Sequence, residues 1–361
     1  MKNSDVRGGR PVRRIAPRTR KPTRLDRFVR QGRWAKRCFE FGLRSRPASI
    51  REGVRRAVSC PVDDVSDQPD HIPVLPQAVY DALTPVIRER WVDCTLGLGG
   101  HAELLLKATP PESRLIGLDV DPRNLTRSAQ RLSPFSDRIH LLQNNFGELD
   151  SLLGELEIAA VDAVLADLGV SSNQIDDVEM GLSFDRDGPL DMRLDPGLTK
   201  TAADLVNSLP ERALADLIYI ESQEPFSRKI AKRICESRRR ARITRTAELA
   251  RLVSQAVGGR RGRIHPATKT FMALRIAVNE ERAALDALLA ASRRRVRPGG
   301  RVAIISFHSG EDRRVKEAFR TWAHDGEFRL VTRRPVVAEE TEMRQNPRSR
   351  SARLRVAVRC A

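Results

Sequence analysis

The sequence predicts an α/β fold: a mostly parallel sheet wound by helices and interrupted by a helical insertion. Three observations carry that prediction. An apolar run ending in a glycine turn, Val92 to His101, is followed about twenty residues on by a second run that ends in a carboxylate, Leu115 to Asp119. Doubly wound sheets hold an adenosine-bearing cofactor with that layout. Strand-like and helical patterns then alternate, as a parallel sheet requires. The fourth and fifth strands stand about 135 residues apart, far more than one crossover helix needs.

In chain order, the body opens at His71-Ile72-Pro73-Val74-Leu75, after an acidic linker from Asp63 to Asp70. Strands are expected at Trp91–Cys94, Leu115–Asp119, Ile139–Leu142, Val161–Asp167 and Val302–Phe307, the last entered through a sharp turn at Arg297-Pro298-Gly299-Gly300. Phe328–Thr332 and Arg353–Val358 read as an antiparallel edge. Helical periodicity marks Arg212–Ile220, Phe226–Arg238 and Thr246–Val257, with Thr201 and Thr246 as N-caps. The domain reading is therefore a basic extension over 1–66, a core over 67–174, an inserted helical domain over 175–263 and the rest of the core over 264–361.

Charge is unevenly distributed. Residues 1–60 carry 19 Lys and Arg against 4 Asp and Glu, a net of +15 out of the chain's +18. Poor in acidic and apolar residues, this segment is not expected to pack on its own. Three readings stay open: a phosphate-binding arm for RNA, a translated upstream region, or an organelle transit peptide. A second set of cations, Arg228, Lys229, Lys232, Arg233 and on through Arg260, Arg261 and Arg263, recurs across the insertion. It reads either as a solvated face or as an RNA contact. No run of about 18 apolar residues and no secretory signal is found. Five cysteines, scattered and without a C-x-x-C pair, argue against disulfides and zinc. A soluble protein of the cytoplasm, with no membrane partner and no metal, is expected.

The glycine turn selects among cofactors. It reads Asp93-x-Thr95-x-Gly97-x-Gly99 and lacks the third spaced glycine of a dinucleotide fingerprint. S-adenosylmethionine is favoured over NAD, Asp93 being suited to the ammonium or sulfonium charge and Asp119 to two ribose hydroxyls. The alternative is a tight βα turn with no ligand. Strand four ends in Asp167 at the sheet edge where ligands bind. For methyl transfer to an exocyclic base amine, an acceptor on the amine hydrogens, Asp167 or a nearby carbonyl, would localise the lone pair on nitrogen; otherwise Asp167 is a cap or turn residue. Methylation at carbon five of cytosine generally uses a cysteine nucleophile. The only Cys beside a Pro here is Cys60, so that chemistry is disfavoured. Polar blocks at 184–193, 265–271 and 306–313 add candidates, with His308 and Ser309 expected to face the cleft. For His308 a structural hydrogen bond and a substrate contact are both open.

Together these blocks resemble the bacterial small-subunit ribosomal RNA cytosine-N4 methyltransferases, the MraW or RsmH family. The resemblance rests on HIPVL (71–75), TLGLGGH (95–101), LDVDP (118–122), DLGVSSNQ (167–174), GLSFDRDGPLDMR (181–193), HPATKTF (265–271), LRIAVNEE (274–281), SFHSGEDR (306–313) and NPRSRSARLRV (346–356). It implies a Rossmann-like class I methyltransferase fold with an inserted substrate-recognition domain, S-adenosylmethionine as donor, and N4 of a cytidine in the decoding region as acceptor. Carried over by motif, cofactor contacts are Gly99, Gly100, His101, Asp119, Phe146, Asp167 and Gln174, with Phe146 an apolar wall for adenine. Departures are Leu96 and Leu98 in the turn, Asn173 for a common Pro and Gly310 for a Leu. The expected partner is small-subunit rRNA within an assembled or nearly assembled subunit. Rival readings are an amino-methyltransferase of DNA and a noncatalytic RNA-binding assembly factor.

Overall fold

The computed structural model describes residues 72–259 and 265–361; the basic segment 1–66, the acidic linker, His71 and Arg260, Arg261 and Arg263 lie outside the described residues. Helix α1 (Pro76–Leu83) leads into β1 (Arg90–Asp93), α2 (Gly100–Ala108), β2 (Arg114–Asp119), α3 (Pro122–Arg131) and β3 (Ile139–Gln143). Helix α4 (Leu149–Glu155), β4 (Val161–Asp167) and the short α5 (Ser172–Asp176) follow. The helical section holds α6 (Ala202–Ser208), α7 (Glu211–Ser222), α8 (Ser227–Arg238), α9 (Thr246–Val257) and α10 (Thr268–Val278). Helix α11 (Glu281–Arg295) returns the chain to β5 (Val296–Ser306), α12 (Ser309–His324), β6 (Phe328–Leu330), α13 (Glu340–Gln345) and β7 (Arg353–Arg359).

These strands form one sheet in the order β3-β2-β1-β4-β5-β7-β6. Strands β1 to β5 are parallel, and β7 pairs antiparallel with both β5 and β6. This is the α/β, mostly parallel arrangement that the sequence predicts, antiparallel edge included, and it is Rossmann-like as the resemblance implies. The alternation of side chains on each strand builds two cores. Val164 and Ala166 of β4 join Val302 and Ile304 of β5 under α4, α11 and α12. Ala163 and Leu165 join Ala303 and Ile305 on the other face, under α1, α2 and α3. Burial on both faces explains why these strands read as continuous apolar runs. One expectation is corrected: Arg297–Gly300 is not a turn before β5 but a bulge within it, since Val296 pairs with Val161 and Arg301 with Ala163. The buried Asp162 carboxylate holds the neighbouring turn by accepting the N–H groups of Arg88 (2.9 Å), Glu89 (2.6 Å) and Arg90 (3.0 Å).

The helical section has an apolar core of its own, running from Leu190 to Val278. Helix α10, past the boundary expected at 263, packs within it. Thr201 caps α6 as predicted, in a capping box with Asp204. Thr246 does not cap α9. Its buried hydroxyl instead accepts the Gly188 N–H (2.9 Å), and the cap comes from Asp187, which accepts the Ala247 N–H (3.1 Å). The block at 181–193 thus folds back on the start of α9.

Candidate active site

Strand order reverses between β1 and β4, and at such a switch point the carboxyl ends of the strands leave a crevice. The turn after β1 forms its floor. Gly99 (φ 78°) is the left-handed N-cap of α2, a conformation that costs other residues energy. A β-carbon on Gly100 would stand 3.2 Å from Pro73. The turn is fastened from β2: Asp119 accepts the N–H of Gly97 (2.8 Å) and of Asp121 (2.8 Å) and the side-chain amide of Asn124 (3.3 Å). Burial pushes the Asp119 carboxyl up to about 6, against the pull of those donors.

A cleft of about 1290 Å³, including its open mouth, is lined by Gly100, His101, Asp119, Phe146, Asp167 and Gln174. Six of the seven cofactor positions named from sequence therefore converge on one cavity. The seventh, Gly99, lies behind it, its α-carbon toward Ser128 and Leu132. Gln174 is buried, donating to Asp121 (3.1 Å) and accepting the Ser171 N–H (3.0 Å). Asn124, which donates to Asp119, accepts from the Asn173 side-chain amide (2.9 Å).

Asp167 ends β4 at 21% exposure, with Oδ2 3.8 Å from His101 Nε2. Its N–H donates to Thr95 Oγ1 (2.6 Å), while its Oδ1 is buried without a hydrogen-bond partner among the described residues. Burial, with the Asp93 carboxylate adding, pushes Asp167 up to about 7. Asp93 itself is not among the lining residues; it is buried behind the turn, accepting the Thr95 N–H (3.1 Å), and burial raises it to about 7. The expectation that Asp93 meets a ligand charge is corrected on that ground. Cys94 does line the cleft, but burial holds its thiol well above the usual range, with no thiolate to act as nucleophile.

His308 and Ser309 are not lining residues either; Phe307 is. The His308 ring turns toward its own helix, Nδ1 accepting the N–H groups of Gly310 (3.2 Å) and Glu311 (3.4 Å) at the start of α12. These are the structural hydrogen bonds of its first reading. The blocks at 181–193 and 265–271 meet each other instead of the cleft, with Phe184 stacked on His265 (4.5 Å between ring centres) and edge-on to Phe271. No group of three or more metal-ligating side chains occurs among the described residues.

The structure adds residues that sequence reasoning missed. Arg348 reaches the cleft from the 346–356 block and donates to the Val170 carbonyl and the Ser172 hydroxyl. Asn279 accepts the Leu194 N–H (2.8 Å) and donates to the Met192 carbonyl (2.8 Å), so that Leu194, Asp195 and Leu198 form one wall. Both sit far along the chain from the glycine turn, and local spacing holds no sign of them; their blocks entered only through the resemblance.

Comparison with known proteins follows this geometry. The MraW methylase family model matches residues 68–360. The chain is 45% identical over 303 residues to the ribosomal RNA small subunit methyltransferase H of Syntrophobacter fumaroxidans, covering 79% of this chain and 95% of that protein. It is 44% identical over 304 residues to the protein of the same name from Geobacter sulfurreducens, covering 80% and 98%. With the one from Dehalococcoides mccartyi it shares 43% identity over 304 residues, covering 80% and 86%.

Proposed function

The chain belongs to the MraW methylase family, and from that premise we propose that it transfers the methyl group of S-adenosylmethionine to N4 of a cytidine in the decoding region of small-subunit ribosomal RNA. The residues present fit the donor. Asp119 has a lone pair to spare for ribose hydroxyls, Phe146 offers an apolar wall, and the acidic lining suits a cation. When bound, the donor supplies a methyl group on a sulfonium, already a strong electrophile. The chain's task is to hold the acceptor in line.

One observation carries the reading: a buried carboxylate oxygen without a partner among the described residues, Asp167 Oδ1, at the carboxyl end of β4 in the cleft. A buried acceptor left open is costly, and an amine N–H satisfies it. Pulling on that hydrogen concentrates the amine lone pair on nitrogen. Exposed Arg228, Lys229, Lys232, Arg239 and Arg240 on and just after α8 offer phosphate contacts beside a base turned out of its stack. The insertion, taken as about 175–263, is assigned to that contact. An assembled or nearly assembled small subunit is the inferred substrate, and the ribosome's compartment, the cytoplasm, is then where the reaction occurs. No described helix is long and apolar enough to cross a membrane.

Methyl-labelled donor, supplied with small subunits from a strain lacking its own enzyme, tests this. Label is expected in the subunits, with free cytidine and DNA far poorer acceptors. Asp167→Asn should lower turnover about 100-fold, within the range of a lost general-base contact. Equal labelling of DNA, or donor binding without transfer to any acceptor, contradicts the reading.

A further inference from the structure

We propose that Asp167 takes up the proton the acceptor amine loses on methylation, and that the donor's own positive charge keeps this carboxylate unprotonated until the methyl group has moved. The inference rests on the methyl-transfer reading and deepens it.

Asp167 lines the cleft, and its buried Oδ1 has no hydrogen-bond partner among the described residues, so it is open to an amine hydrogen. Burial holds the Asp167 proton on, and the carboxyl groups of Asp93 from β1 and Glu311 from α12 add to this when ionised; Arg348, from the turn after α13, opposes them. From α2, His101 Nε2 stands 3.8 Å from Oδ2. Arg348 is shared, its guanidinium also donating to Val170 and Ser172. Burial and the two acids prevail, so the carboxyl of the ligand-free protein titrates at about 7. A half-protonated acid is a poor acceptor for an amine hydrogen. A cation bound in the same cleft reverses the balance, since an opposite charge within a few ångströms lowers a carboxyl pKa by about 1 to 3 units.

The reaction then removes the charge that kept the carboxylate ionised. The carbon–sulfur bond breaks with its electron pair left on sulfur, which becomes a neutral thioether. The amine lone pair forms the new nitrogen–carbon bond, an N4–H bond breaks with its electrons returning to nitrogen, and that proton bonds to the Asp167 carboxylate. One cation and one anion become two neutral groups, and no further reactant is needed. The proton is accepted at the moment its acceptor's affinity for it returns.

Proton counting tests this apart from turnover. S-adenosylmethionine and S-adenosylhomocysteine are titrated into the protein by calorimetry in buffers of different ionisation enthalpy. With Asp167 raised to about 7 in the free protein, S-adenosylmethionine is expected to release more protons than S-adenosylhomocysteine near pH 7, the difference fading well above it. The difference should vanish in Asp167→Asn. In the unaltered protein, S-adenosylmethionine affinity should weaken by up to tenfold per pH unit below 7, while S-adenosylhomocysteine affinity does not follow it. Equal proton release by the two ligands, or a difference that survives Asp167→Asn, overturns the inference while leaving donor binding intact. Binding of neither ligand overturns the methyl-transfer reading beneath it.

Discussion

Ionising Asp167 in the ligand-free protein works against folding. Its carboxyl is raised to about 7 from an ordinary value of 3.8, so the stability it contributes is full below about pH 4 and is lost as pH rises through 7. Asp167→Asn is therefore expected to leave the melting temperature nearly unchanged at pH 4. At pH 8 it should stabilise the free protein by up to about 4 kcal/mol, measured by calorimetric unfolding across that range. A variant no more stable than the parent at pH 8 would show that the carboxylate is not penalised by burial. Asp119 was legible from sequence because a carboxylate at a strand end occupies the carboxyl edge of any such sheet, whereas Gln174 entered only through the resemblance. Asp93 was misread for a related reason. It ends a strand too, but its side chain turns beneath the glycine loop to hold the Thr95 N–H, and a sequence pattern does not distinguish the cleft side of a turn from its underside. His308 was equally opaque, because a ring that caps its own helix and one that faces a ligand occupy the same position in the chain.

Single side chains fasten whole elements. Asp162 satisfies three backbone N–H groups at the start of β1, and Arg297 Nε lies 3.0 Å from its other oxygen. Asp162→Ala takes the shared acceptor from three part-buried donors and from Arg297, and a loss of about 1 to 3 kcal/mol in denaturant unfolding is expected. A loss under about 0.5 kcal/mol would mean that water replaces the carboxylate. The block at 181–193 gives a second case. A β-carbon on Gly188 would lie 2.1 Å from the Val178 carbonyl oxygen, so Gly188→Ala must force the 178–188 turn apart. Lost protection of the α9 amides in hydrogen exchange is expected, with α2 and β2 unchanged. The helices and parallel strands were readable because periodicity reports burial directly. The cap on α9 was not, because Asp187 comes from 60 residues upstream of Ala247, and the Arg297–Gly300 bulge depends on pairing with β4, which a local glycine signal does not reveal.

At the scale of the molecule, two blocks of sequence meet a third only after folding. The glycine turn and the end of β4 make the donor side of the cleft; Arg348 and Asn279, each more than 100 positions from both, close it, Asn279 by holding the wall at Leu194. The parallel sheet and its antiparallel edge were legible in outline, since alternating strand and helix patterns require such a sheet. The convergence on one cleft was not, because it depends on where a long insertion returns the chain. That insertion predicts a salt-dependent contact: Arg239→Glu with Arg240→Glu should weaken small-subunit binding and flatten the dependence of log affinity on log salt by about one to two units, with donor affinity unchanged. An unaltered slope would assign those arginines to solvent. The central claim is methyl transfer to the cytosine amine, and nucleoside mass spectrometry of small subunits incubated with the protein and labelled S-adenosylmethionine tests it most directly. Labelled N4-methylcytidine is the predicted product; label found only in another nucleoside, or none in subunits and naked rRNA alike, would contradict the account.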